Sequence, residues 1–193
     1  MVRPREFELE EVSEGLLNAF WLRGFARTSI PDLTAATGLL PGSLYAAFGS
    51  KEDMFRVAVE RYVAQLRAAI SNGVRGLAGV QDVLDTVVRL TASDPERRGC
   101  LILNTIPESS SLSAPTRRQL QSGLRAMRRF VRDRLREAQD DVGTSVDLDP
   151  LAALVFAAAV AIRVLGRAGL DRRLLQDIAD GATAAVRRAL EHG

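Results

Sequence analysis

Residues 29–53 read SIPDLTAATGLLPGSLYAAFGSKED, and the fold turns on how this stretch is punctuated. Ser29 precedes Ile30-Pro31-Asp32: a hydroxyl cap, a proline inside the first turn and an acid at the third position, the pattern of a helix start. Gly38 stops that helix early. Pro41 is tolerated in the first turn of a second short helix, which Gly49 closes after Phe48. Ser50-Lys51-Glu52-Asp53 repeats the cap-plus-acid pattern and opens a longer one. Two short helices joined by a glycine-containing turn, with a longer helix before them, read as a three-helix unit ending in a helix-turn-helix.

Upstream, Leu9, Val12, Leu16, Ala19 and Phe20 recur at helical spacing from about Glu8 to Arg23, where Gly24 ends the run. Downstream, Phe55, Val59, Tyr62, Leu66 and Ala69 carry the fourth helix to about Asn72. Gly73–Gly79, with three glycines in seven residues, reads as a hinge or linker. Val80, Val83, Leu84, Val87 and Val88 predict a helix to about Ala92, broken by Asp94-Pro95. A short apolar segment, Cys100–Ile106, follows. A helix over about Pro115–Ala138 puts Leu120, Leu124, Met127, Val131 and Leu135 on one face. Arg118, Arg125, Arg129, Arg132 and Arg136 lie opposite, as a solvated face. After a polar loop, Asp140–Asp149, the pair Asp149-Pro150 caps a very apolar helix to about Arg167. Asp171 opens the last one. The expected fold is all-α with about nine helices: an N-terminal helix-turn-helix domain over residues 1–50 and a C-terminal helical domain over 51–193, the fourth helix linking the two.

Composition agrees. Ala, Leu and Arg, all strong helix formers, supply 78 of 193 residues. Several chemistries fall away. Cys100 is the one cysteine, so no intrachain disulfide forms and a reducing cytoplasm fits. The one histidine, His192, closes off a His/Cys metal site and a Ser-His-Asp triad. With no cluster of acid, base and nucleophile, no enzyme, metal or cofactor is expected. Met1–Glu11 is charged and is no secretory signal. The longest apolar run, Leu151–Ile162, has 12 residues where a membrane span needs about 20.

Charge is unevenly spread. Residues 1–55 carry five bases and eight acids, net −3, whereas 117–136 carry eight arginines against Asp133, net +7. Within the helix-turn-helix, Gly42, Ser43, Ala46 and Ala47 are small enough for a helix that approaches a DNA groove. Leu44 and Phe48, at i and i+4, face inward. Tyr45 carries a hydroxyl suited to a phosphate or base edge. Lys51 stands at a helix N-terminus against the dipole, a conflict that a bound phosphate removes. Thr28 and Ser29 are placed to contact the backbone in the same way.

Phe20-Trp21-x-x-Gly24-Phe25-x-x-Thr28-Ser29, then Leu33-x-x-x-x-Gly38, then Gly42-Ser43-Leu44-Tyr45-x-x-Phe48-x-Ser50-Lys51-Glu52 closely resembles the DNA-binding domain of TetR/AcrR-type transcriptional regulators over about residues 8–55. Arg98-Gly99-Cys100-Leu101-Ile102-Leu103-Asn104-Thr105 resembles a segment at the sixth helix of many members. The resemblance implies an all-α dimer in which residues 51–193 form the helical ligand-binding and dimerisation domain. Its phosphate-contacting tyrosine falls on Tyr45, its helix-starting lysine on Lys51 and its recognition helix on Leu40–Ala46. Pro41 stands where the family often has a polar or basic residue.

The expected function is that of a ligand-released repressor binding a near-palindromic double-stranded DNA operator as a homodimer. The dimer would form through the last two helices, where Ala152, Ala153, Ala157, Ala158 and Ala161 allow close approach. A small, largely apolar effector would contact residues among Tyr62, Leu66, Leu84, Val88, Leu103, Asn104, Met127 and Phe130. Cys100, beside Arg97 and Arg98 whose charge would favour a thiolate, is a candidate thiol sensor; its other reading is a small buried hydrophobe. Arg163, which interrupts the apolar eighth helix, reads as an arginine at the exposed end of an interface helix. The acidic N-terminal part and Pro41 are the support for a rival reading, a helical ligand-binding or interaction protein without specific DNA binding.

Overall fold

The computed structural model describes residues 6–71 and 73–192. Among the described residues the chain forms nine α-helices and no strand: α1 (Glu6–Arg23), α2 (Ile30–Thr37), α3 (Pro41–Phe48), α4 (Lys51–Ile70), α5 (Gly76–Ala92), α6 (Leu101–Thr105), α7 (Ala114–Val142), α8 (Leu148–Arg167) and α9 (Arg172–His192). A 3₁₀ turn, Ile106–Ser111, follows α6 directly.

The chain divides into two compact units. The first holds the N-terminal part to Leu66 together with Cys100–Ser122; the second holds Arg67–Gly99 and Gly123–Gly193. In the first unit α1 packs on α2 and α2 on α3. Gly15 of α1 lies so close to α2 that a Cβ there would overlap the Ala36 carbonyl oxygen, so the two helices meet backbone to backbone. Val12, Leu16, Leu17 and Phe20 of α1, Leu33 of α2, Leu44 of α3 and Met54, Phe55, Ala58, Val59 and Tyr62 of α4 are buried. Leu17 is buried where the sequence spacing points to Leu9, which is exposed. Phe55 packs edge-on to Phe20, with ring centroids 5.1 Å apart, and lies 5.2 Å from Phe25.

In the second unit α5, α8 and α9 pack against one another. Val80, Leu84, Val87 and Val88 meet Ala152, Val155, Ala158 and Ile162 of α8 and Leu175, Ala179, Ala182, Val186 and Leu190 of α9, closed by Val131, Leu135 and Ala138 of α7. Removing this apolar surface from water is the main favourable term holding the unit together.

Four expectations change. The glycine-rich linker is shorter than its composition implies: α5 already begins at Gly76. Gly76 stands at φ +64°, which glycine adopts without strain, and Gly79 is there for space, since a Cβ on it would stand 2.7 Å from the Val74 carbonyl oxygen. α7 runs four residues past Ala138, into the expected polar loop. α8 is capped by Asp147, whose carboxylate accepts from the Asp149 N–H at 3.0 Å, rather than by Asp149 itself. Pro150 then falls in the first turn, where its missing N–H leaves no bond unmade. Arg163 is 7% exposed, not at an open end, and its Nη1 donates to Thr91 Oγ1 at 3.4 Å. α8 is by length and composition apolar enough to cross a membrane; here its Ala152, Val155, Ala158 and Ile162 side is packed on α5 and α9.

Candidate nucleic-acid interface

The two caps legible in the sequence hold the site. The Ser29 N–H donates to Asp32 Oδ2 at 2.8 Å and the Asp32 N–H returns to Ser29 Oγ at 3.3 Å. Ser50 and Asp53 repeat the arrangement at the start of α4, at 2.9 and 3.1 Å. Each box satisfies two N–H groups that a bare helix start leaves free. The hydrogen bond from the Ser29 hydroxyl, then that from its N–H, holds Asp32 below the usual carboxylate range, with Arg23 adding its charge 3.2 Å away. The same two donors from Ser50, with Arg56 beside them, hold Asp53 down to about 2.

α3 lies between these clamps and is built differently. No side chain caps its N-terminus, where Leu40 stands in extended backbone and Pro41 follows. Gly38, with φ +71°, makes the left-handed turn that closes α2 and leads to it, a conformation glycine adopts without strain. Of its eight residues only Leu44 is buried. Phe48 is partly buried. Pro41, Gly42, Ser43, Ala46 and Ala47 are exposed, Tyr45 is 48% exposed and Leu40 75%. A helix that buries one side chain in eight gives the rest of its surface to solvent or to a partner.

Lys51 borders this surface. Its Nζ lies 4.7 Å over the Phe25 ring and donates to the Ala26 carbonyl oxygen at 3.5 Å. Burial pushes the Lys51 ammonium below its ordinary pKa, and the charges of Glu108 and Asp32 offset part of that. Ser29 is exposed. Thr28 is elsewhere: it is fully buried, and its hydroxyl donates to the Gly24 carbonyl oxygen at 2.6 Å. The side chain proposed from sequence for a backbone contact instead ties the α1–α2 turn to itself. Glu10 and Glu14 of α1 face Arg61 of α4, with Arg61 Nε 3.1 Å from Glu14; the side chains of Glu6 and Glu8 lie outside the described residues.

The candidate effector residues are divided between the units. Tyr62, Leu66, Leu103 and Asn104 belong to the first, and Leu84, Val88, Met127 and Phe130 to the second. Tyr62, Leu84 and Val88 are closed into the cores. Leu66, Leu103, Asn104, Met127 and Phe130 keep part of their surface open, with the Arg134 guanidinium 5.2 Å above the Phe130 ring. Cys100 is buried at the start of α6. Arg98 is engaged by Asp94 and Glu96, at 3.2 and 3.4 Å.

Two contacts had no sequence signal. Glu108 Oε2 accepts from the Ala26 N–H at 2.9 Å across 82 residues of chain, and Glu52 Oε1 accepts from the Ser113 N–H at 2.8 Å. Burial favours the neutral form of Glu52, but the Ser113 and Thr116 hydroxyls and the Ser113 N–H outweigh it and lower its pKa. Glu52 stands in the helix-start pattern of α4, which gives no hint of a partner at Ser113, and Glu108 belongs to no local pattern.

Comparison with known proteins places this geometry. Residues 14–58 match the model of bacterial regulatory proteins of the tetR family, and residues 76–191 match the tetracyclin repressor-like C-terminal domain. The HTH-type transcriptional repressor ComR of Escherichia coli (strain K12) is 26% identical over 189 residues, covering 92% of this chain and 88% of that one. The HTH-type transcriptional repressor BdcR of the same strain is 31% identical over 108 residues, about half of each chain. The solved structure of a cysteine variant of CifR, a TetR family transcriptional regulator complexed with 26-bp double-strand operator DNA, is 30% identical with a TM-score of 0.79, covering 95% of this chain and 99% of that one. The chain therefore belongs to the tetR family and is a DNA-binding transcriptional regulator.

Proposed function

We propose that this regulator is a cytoplasmic repressor that binds a near-palindromic duplex operator as a homodimer and releases it when a small, largely apolar effector binds. The observation that carries the reading is the open face of α3 bordered by Lys51. Leu40, Pro41, Gly42, Ser43, Tyr45 and Ala46 meet the major groove and its rim. Tyr45 directs its hydroxyl to a phosphate or base edge. Lys51 and Ser29 hold the flanking backbone, while Thr28 serves from inside the turn. The N–H groups of Gly42 and Ser43, at a helix start without a side-chain cap, suit a phosphate oxygen. Functionally, residues 1–50 together with Lys51 contact DNA and the rest of 51–193 carries dimer and effector contacts, with no catalytic step.

The dimer reading rests on the second side of α8 and α9. Ala152 and Ala158 are buried in the chain's own core, but Ala153, Leu154, Ala157 and Val164 of α8 and Leu174 of α9 are exposed. Gly181 of α9 has open space beside it. An apolar stripe of this kind, small at its centre, fits a copy of itself in a two-fold interface. The effector acts through candidate residues that keep open surface, as Met127 and Phe130 do in the second unit.

The test is selection of duplexes from a randomised pool, followed by footprinting and a count of bound subunits. The expected result is one enriched near-palindrome, with half-sites about 34–36 Å apart or somewhat more and two subunits bound. A pool that stays random under binding selection, with dimers present, decides for the helical interaction protein without specific DNA binding.

A further inference from the structure

Residue Ala26, in the turn between α1 and α2, is gripped from both ends. Its N–H donates to Glu108 Oε2 at 2.9 Å, and its carbonyl oxygen accepts from Lys51 Nζ at 3.5 Å. The acid comes from the 3₁₀ turn after α6 and the base from the first residue of α4. All these residues lie in the first compact unit.

The turn is shaped to receive the carboxylate. Gly24 has φ +79°, and a Cβ there would stand 2.8 Å from Glu108 Oε1. Any other side chain at 24 would meet both a strained backbone and an occupied seat. The Thr28 hydroxyl, donating to the Gly24 carbonyl oxygen at 2.6 Å, holds the turn closed from the other side. Phe25, inside the same turn, supplies the ring under the Lys51 ammonium. Moving the turn therefore moves both groups that hold Lys51 in place, the Ala26 carbonyl and the Phe25 face. The segment after α6 is fastened a second time where the Ser113 N–H donates to Glu52, next to Lys51 in the chain.

We propose that Glu108 is a positioning residue for operator binding, which fixes the α1–α2 turn through the Ala26 N–H and so sets where Lys51 stands against the DNA backbone. The inference rests on the Lys51 phosphate contact proposed above. A carboxylate beside a DNA-facing cation would by charge alone weaken binding to a polyanion. Its placement on a backbone N–H, in a glycine-made seat, assigns it the opposite effect. The displacement of a segment as short as Ile106–Ser111 is then enough to change affinity without touching α3.

The experiment uses the full chain and a duplex selected from a randomised pool by the wild-type protein. Affinity is measured over a series of salt concentrations for Glu108→Ala, Glu108→Gln, Lys51→Met and the double variant Glu108→Ala/Lys51→Met, with thermal melting of each. Glu108→Ala is expected to weaken binding about tenfold, the scale of one lost charge-assisted contact. It should also lower the slope of log affinity against log salt by about 0.9 per subunit, one phosphate contact. Glu108→Gln, which keeps an acceptor for the Ala26 N–H, should recover most of the affinity. In the Lys51→Met background, removing Glu108 should add little, because the two act through one contact. Unchanged or tighter binding by Glu108→Ala overturns the proposal, as does a loss that follows the melting temperature with the salt slope unmoved. If Glu108→Ala alone leaves binding intact while Lys51→Met weakens it, the positioning role falls and the lysine contact stands. If Lys51→Met changes neither affinity nor slope, the lysine contact falls and takes the positioning role with it.

Discussion

α3 and α8 each contain a glycine, and the two glycines show opposite uses of a helix surface. A Cβ on Gly42 of α3 meets nothing within 4 Å. A Cβ on Gly166 of α8 would overlap Thr91 Cγ2 and stand 3.2 Å from Leu175 Cδ1. Thr91 has little room to turn aside, since it is buried and its hydroxyl donates to the Val87 carbonyl oxygen at 2.7 Å. The glycine of α8 exists because the chain's own interior fills the space in front of it. The glycine of α3 leaves space that the chain does not fill. A helix kept open along most of its length, anchored by one leucine and clamped at its neighbours' capping boxes, is shaped for a surface that arrives from outside.

The largest expected effect comes from that single anchor. Leu44→Ala should destabilise the first unit by about 2–5 kcal/mol, the range for a buried leucine, and abolish operator binding; thermal melting with a DNA titration checks both. If Leu44→Ala keeps full affinity, α3 is not held by one residue. Next is Gly166→Ala, expected to lose about 1–3 kcal/mol through overpacking against Thr91 and Leu175, with operator affinity unchanged below the melting transition. The same substitution at Gly42 should reverse the sign. Gly42→Ala is expected to gain up to about 1 kcal/mol of stability, as alanine replaces glycine in a helix. It should bind operator about tenfold more weakly, because the methyl group occupies the space meant for DNA. A Gly42→Ala variant that is both more stable and fully active removes α3 from the groove.

The smallest effect is one of pH. Asp53 has a folded pKa of about 2, depressed by the Ser50 hydroxyl and N–H and by Arg56. A carboxylate whose pKa is lower folded than unfolded adds stability above its unfolded value, near 3.9 for an aspartate, and loses it as pH falls through the folded value. The difference in melting temperature between wild type and Asp53→Asn should therefore be full above about pH 4 and shrink toward pH 2. A constant difference across that window would mean that the ionised carboxylate is not what closes the cap.

The local features of the helix-turn-helix were legible because each rests on neighbours in the chain. Ser29 with Asp32 and Ser50 with Asp53 are three residues apart, and Pro41 opens α3 and Gly49 closes it as their chemistry dictates. Reading stopped where the reason for a residue lies far along the chain. The glycines at 76 and 79 look like a linker until the left-handed backbone at 76 and the Val74 carbonyl against 79 are seen. Arg163 looks like a surface charge until Thr91 is found 72 residues away. Thr28 looks free for DNA until its hydroxyl is traced to Gly24, whose turn it closes. Glu108 carries no pattern at all, because the group it serves is a backbone N–H 82 residues upstream.

Lys51 is the only lysine in the sequence, among 25 arginines. Its ammonium lies over the face of Phe25, so methyl groups placed on that nitrogen by reductive methylation with isotope-labelled formaldehyde would sit in the ring's shielding cone. They would report from one known lysine position. An upfield-shifted methyl resonance in the free protein that moves when duplex is added would give a single-atom readout of operator occupancy. One that returns when a candidate effector is titrated in would identify that effector, whatever its chemical class.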